Sequence, residues 1–88
     1  MVPVTIYTRD ACPYCDRARG LLTKKSVDFN EINAGYSPEL KREMLEKSGR
    51  STFPQIIVGS VHVGGCDDLH ELEYAGRLDR LLATGKLN

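Results

Sequence analysis

Eighty-eight residues supply one modest core and no second one, so a single domain spanning residues 1–88 is expected. Twelve Lys and Arg balance twelve Asp and Glu, which leaves no net charge to draw nucleic acid or an anionic membrane. The longest apolar runs are strand-sized, and residues 1–11 lack both the basic start and the apolar stretch of a signal peptide. Three cysteines, with the nearest pair closing a four-residue loop, make a poor disulfide scaffold and point to a reducing compartment, the cytoplasm.

In chain order, Val4 and Ile6 alternate with Thr5 and Tyr7 after Pro3 and predict a first strand. A helix is predicted from Pro13 to about Lys25, with Cys15, Ala18, Leu21 and Leu22 on its apolar face and Lys24 and Lys25 at its negative end. Val27 to Ile32 reads as a second strand. Ser37-Pro38-Glu39 is a helix start, continued by Leu40, Met44 and Leu45 and stopped at Ser48-Gly49. Gln55–Val58 and Ser60–Val63 flank the turn Gly59-Ser60 and predict a hairpin. Gly64-Gly65 breaks it, Asp67 and Asp68 open a last helix carrying Leu69 and Leu72, and Gly76 interrupts that helix before Leu78, Leu81 and Leu82 continue its face. The order β-α-β-α-β-β-α predicts an α/β protein with a four-stranded mixed sheet flanked by helices, its first two strands parallel and its hairpin antiparallel. With two thiols at the first βα junction, this is the thioredoxin-like fold.

The chemistry concentrates in Cys12-Pro13-Tyr14-Cys15. Cys12 falls at the N-cap, where free N–H groups and the helix dipole favour a thiolate, and Pro13 at the first helical position, where a missing N–H costs nothing. Cys15 shares the spacing of Ala18 and Leu22 and faces the sheet, while Cys12 precedes the helix and is expected to be exposed. Cys12 is therefore the expected nucleophile and Cys15 the resolving thiol. Lowering a thiol from ~8.5 to about 5.5 takes roughly 4 kcal/mol, of which a helix dipole supplies at most ~2. The remainder is assigned to the N–H groups of Tyr14 and Cys15, helped by Arg9. At neutral pH such a shift raises the thiolate fraction about 30-fold, and a Brønsted slope near ~0.5 cancels that gain in attack, so the benefit lies in a better leaving group. The i, i+3 spacing slightly exceeds ideal disulfide geometry, which predicts a labile bridge.

A C-x-x-C pair also serves zinc, but closing four ligands would need Cys66 with His62 or His70, which a strand, Gly64-Gly65 and a helix start keep apart. No metal is expected. Taken singly, Asp67 and Asp68 are helix caps, Arg9 a surface charge, Tyr14 a surface aromatic, Cys66 a half-buried small residue, and His62 and His70 surface residues.

Three motifs together go further. Cys12-Pro-Tyr-Cys15, Thr52-Phe-Pro54 and Gly64-Gly-Cys-Asp-Asp68, in that order and spacing, make the chain resemble the dithiol glutaredoxins of the small bacterial type over nearly its whole length. The resemblance implies a glutathione-dependent thiol–disulfide oxidoreductase with glutathione as co-substrate. Arg9, in place of a family lysine, would pair with the glycine carboxylate, with Lys41 and Gln55 as weaker candidates. Tyr14 would flank the bound cysteine moiety. Phe53, beside Thr52 and held by a cis peptide before Pro54, would pair its backbone with that moiety. Gly65, Cys66, Asp67 and Asp68 would hold the γ-glutamyl end, and a helix N-terminus after two glycines suits a carboxylate independently. Implied partners are glutathionylated or disulfide-containing proteins and, indirectly, the glutathione reductase system, with the chain a monomer away from nucleic acid and membrane. Two rival readings are a redoxin served by thioredoxin reductase and a glutathione-ligated iron–sulfur carrier, the latter disfavoured by Pro13.

Overall fold

The computed structural model describes residues 1–87. Its elements are β1 (Val4–Thr8), α1 (Pro13–Lys24), β2 (Asn30–Asn33), α2 (Pro38–Ser48), β3 (Gln55–Val58), β4 (Val61–Gly64), α3 (Cys66–Tyr74) and α4 (Leu78–Thr84). The sheet runs β2-β1-β3-β4. β1 is parallel to β2 and antiparallel to β3, and β3 is antiparallel to β4. This is the thioredoxin-like α/β arrangement that the order of elements predicts.

The main core lies between the sheet and α1, α3 and α4. Val4, Ile6, Ile56 and Val58 of the central strands meet Ala18 and Leu22 of α1, Leu69 of α3, and Leu78 and Leu81 of α4. On the other face a smaller cluster of Tyr7, Ala34 and Met44, with Ile32, Leu40, Phe53 and Ile57 against it, joins α2 to the sheet. Both central strands are covered on two sides, which fixes their ends, and the functional loops hang from those ends.

Two boundaries differ from the expectation. The second strand starts at Asn30, not Val27, because Ser26 turns the chain at φ 58° and Val27 is buried in the core, its N–H donated to Leu22 O at 3.0 Å. Pairing with β1 begins only at Asn30, opposite Thr5. The last helix is two helices: Gly76, at φ 70°, breaks it between Tyr74 and Leu78, and Arg77 N–H returns to Leu72 O. Leu78, Leu81 and Leu82 still reach the core, so the break redirects the helix without changing which face is buried.

Candidate active site

β1 ends at Thr8, and four residues carry the chain to Pro13, the first residue of α1. Ala11, at φ 52°, makes the sharp turn within that loop. Cys12 is the N-cap, in an extended conformation, and its sulfur accepts the Cys15 N–H at 3.1 Å. Cys12 and Cys15 are joined by a disulfide with their Cα atoms 5.2 Å apart. The structure is thus the oxidised form of a dithiol at a helix start.

Three expectations about this turn need correction. Cys12 is buried, only 3% exposed, because its sulfur folds back over the first turn of α1 to reach Cys15, which is itself fully buried. The Cα separation lies well inside the range disulfides adopt, so the spacing is not too wide for a bridge. The sulfur's hydrogen bond comes from Cys15 N–H. Arg9 instead braces the loop, with Nη1 donating to Asp10 O and Ala11 O, each at 3.0 Å. Gly35 makes room for it, since a Cβ there would lie 2.9 Å from Arg9 Cβ.

Beside the dithiol runs a groove of about 220 Å³ lined by Tyr14, Arg50, Phe53, Pro54, Gly65, Cys66, Asp67 and Asp68. Tyr14 belongs to the dithiol turn, so one wall of the groove is the reactive segment itself. Its ring is exposed, and the Arg17 guanidinium carbon lies 5.9 Å from the ring centre. The floor is the Phe53-Pro54 segment, whose peptide bond is cis. The far wall is the start of α3. A hollow of about 330 Å³ along Val61, His62 and Leu72 is larger but holds no thiol, so chemistry, not size, marks the site.

The α3 corner is held by charge. Asp68 Oδ2 accepts the Gly65 N–H at 2.9 Å and the Arg50 Nη1 donor at 3.2 Å. The Gly65 N–H, followed by Arg50, holds the Asp68 carboxyl below its ordinary range against the opposing effect of burial. Gly64 is at φ 119°, and a Cβ there would run into the Asp68 carboxylate, so only glycine lets the chain pass. Cys66 is buried beside His70, its Sγ 3.5 Å from Nδ1, and burial pushes its thiol up. Its raised thiol makes it a weak nucleophile in this state.

The groove thus brings together Tyr14, Phe53, Pro54, Gly65, Cys66, Asp67 and Asp68. It does not bring in Gln55, which is fully buried. Gln55 Nε2 donates to Thr52 O and Thr52 Oγ1, each at 3.0 Å, and Oε1 pairs with His62 Nε2 at 2.7 Å. Gln55 therefore stiffens the turn that presents Phe53 instead of meeting a ligand. His62 is half-buried by the same contact, and burial, with Arg50 nearby, lowers its pKa. Thr52, Arg9 and Lys41 are exposed and stand outside the lining. Arg50, which does line it, was missed. Its only signal in the sequence is its place between the Ser48-Gly49 helix stop and Thr52-Phe-Pro54. Among the described residues no three Cys, His, Asp or Glu side chains gather as a metal site.

A vicinal dithiol capping the first helix of a thioredoxin-like sheet, beside a charged groove, defines a thiol–disulfide oxidoreductase. Comparison narrows the class. The glutaredoxin family model matches residues 4–63. A glutaredoxin of Pseudomonas aeruginosa is 58% identical over 84 residues, covering 96% of this chain and 100% of the relative. The solution structure of a glutaredoxin from Brucella melitensis superposes with a TM-score of 0.89 at 65% identity, covering 100% of this chain and 96% of that one. The crystal structure of a buckwheat glutaredoxin–glutathione complex superposes with a TM-score of 0.83 at 25% identity, over 93% of this chain and 77% of that one. The chain belongs to the glutaredoxin family, and as such is a thiol–disulfide oxidoreductase with glutathione as its co-substrate.

Proposed function

We propose that Cys12 is the attacking and leaving sulfur and that Cys15 resolves. With a glutathionylated substrate, the Cys12 thiolate attacks the glutathione sulfur and expels the substrate thiolate, leaving Cys12 in a mixed disulfide with glutathione. A second glutathione thiolate attacks that glutathione sulfur, releasing glutathione disulfide and the Cys12 thiolate. With a disulfide-containing protein, Cys12 forms a mixed disulfide and Cys15 attacks its Cys12 sulfur. The protein leaves as a dithiol and Cys12–Cys15 closes as the disulfide, which two glutathiones then reduce.

The observation that carries this reading is the Cys15 N–H donated to Cys12 Sγ at the start of α1. A backbone donor and the helix dipole favour negative charge on that sulfur, which aids its departure. Groove chemistry supports glutathione, a tripeptide with two carboxylates and an ammonium. The α3 N-terminus and Arg50 suit its γ-glutamyl carboxylate, Asp68 its ammonium, and the Phe53 backbone its cysteine moiety. For the glycine carboxylate we propose Arg9 and Lys41, exposed cations outside the groove's lining. We place the protein in the cytoplasm, because turnover draws on a reduced glutathione pool kept by glutathione reductase.

The test follows NADPH consumption with glutathione, glutathione reductase and a glutathione mixed disulfide. Turnover strictly dependent on glutathione is expected. Equal turnover with thioredoxin reductase and no glutathione would overturn the reading.

A further inference from the structure

His62 lies in β4, outside the groove's lining, yet a chain of hydrogen bonds ties it to the groove's floor. The hairpin pairs His62 with Ile57, on the face of the sheet that also carries Gln55, two residues back. One step further the register slips at a bulge, and Gly64 pairs with Ile56 on the opposite face. The chain has a fixed direction. Thr52 O only accepts, so the Gln55 amide turns its Nε2 to Thr52 at 3.0 Å and its Oε1 to His62 at 2.7 Å. His62 Nε2 must then donate, whether the ring is neutral or charged. Gln55 is fully buried, so cutting either link strands a polar atom away from water.

What this chain fixes is the plane of a peptide. The Thr52-Phe53 bond is trans, so its carbonyl and its N–H point in opposite directions. With Thr52 O held on Gln55, the Phe53 N–H is turned away from it, and among the described residues it has no backbone acceptor. Hydrogen bonds in series also polarise one another, which makes that free N–H a stronger donor. We infer that His62 is a positioning residue, acting through Gln55 and the Thr52 carbonyl to aim the Phe53 N–H at the cysteine moiety of bound glutathione. The inference rests on the glutathione reading of the groove and adds to it a residue that touches no ligand. A purely structural role for His62 would lower stability and leave capture of the substrate intact.

Two reactions separate these roles: turnover of a glutathione mixed disulfide at fixed glutathione, and alkylation of reduced Cys12 by iodoacetamide, which needs no contact with Phe53. Both are run at a temperature where denaturation curves show each variant folded. His62→Leu removes the donor at similar volume, and His62→Gln puts an amide N–H near the place of Nε2. His62→Leu should lower kcat/KM for the mixed disulfide about three- to tenfold, the range of one hydrogen bond, while alkylation stays within about twofold. His62→Gln should recover most of the loss. Gln55→Met, which cuts the chain at its middle, should show a similar loss, and adding His62→Leu to it should lower kcat/KM by less than about twofold further. An unchanged kcat/KM in His62→Leu, a loss that His62→Gln does not recover, or an undiminished further loss in the Gln55→Met background overturns the assignment. So does alkylation that falls in step with turnover. Should the unaltered protein fail to turn over the mixed disulfide, the glutathione reading itself falls and this inference falls with it.

Discussion

Cys15 gives its backbone N–H to the sulfur of Cys12 at 3.1 Å, and its own sulfur is the other half of the disulfide. One residue thus serves the nucleophile twice, through two separable groups. Replacing Cys15 by Ser removes the resolving sulfur and leaves the backbone donor in place. Cys15→Ser should keep removal of glutathione from mixed disulfides near its original rate, while reduction of protein disulfides falls to background. Cys12→Ser should abolish both. Paired assays on the two variants decide it, and loss of both activities in Cys15→Ser would contradict the division of labour.

Gly64 tests how tightly the groove's charged corner is built. At φ 119° an alanine is strained by about 1–3 kcal/mol, and its Cβ would come within 2.8 Å of Asp68 Cγ. Gly64→Ala should lower unfolding stability by about 2 kcal/mol and raise KM for glutathione substrates by displacing Asp68 from the Gly65 N–H. Gly20 is the control: it lies within α1 with nothing inside 4 Å of an added Cβ, so Gly20→Ala should stabilise by about 0.5–1 kcal/mol. Chemical denaturation of both variants gives the comparison, and similar effects at the two sites would argue against the corner's role.

What could be read in advance follows from locality. The dithiol at a helix start, the Gly64-Gly65 break, the hairpin and the inward face of α1 each depend on residues within one turn or one strand, where spacing dictates geometry. Burial of Cys12 accompanies the reach of its sulfur back to Cys15, which an N-cap position by itself does not encode. Gln55 looked available because its amide partner, His62, sits across the β3–β4 hairpin. Arg50, in the loop after α2, carries no local signal because its meaning comes from Asp68, eighteen residues on in α3. Val27 has strand-forming chemistry, and the positive φ of Ser26 turned it into the core instead. Contacts closed through tertiary packing were the ones missed.

Asp68 should leave a signature in acid. The Gly65 N–H, and after it Arg50, hold its folded carboxyl below the unfolded value near 3.9. A carboxyl depressed in this way supports the fold fully above the unfolded value, and that support disappears as pH falls through the folded one. Asp68→Asn should therefore flatten the acid limb of a stability curve below about pH 4 and shift it by a constant amount above. Thermal melts from acid to neutral pH measure this. An acid limb as steep in Asp68→Asn as in the parent would mean that Asp68 titrates alike in both states.

Tyr7 governs the opposite end of the pH range. It is fully buried in β1, and its hydroxyl donates to Glu43 of α2 at 2.6 Å, tying that helix to the sheet. Burial, then the Glu43 bond, pushes the phenol far above its ordinary value, because ionising it would strand a charge beside a carboxylate. Support from a group raised in the folded state is complete below the unfolded value, near 10, and is lost as pH climbs from there toward the folded one. Tyr7→Phe removes the donor and the titration together. At neutral pH it should cost about 1–2 kcal/mol, the net worth of one part-buried hydrogen bond to a charged acceptor. Above about pH 10 the deficit should shrink, since the parent alone pays for keeping the phenol protonated. Urea unfolding of both proteins at neutral and alkaline pH tests the point, and a deficit that stays constant or grows with alkali would show that the hydroxyl does not hold its proton through Glu43 and burial.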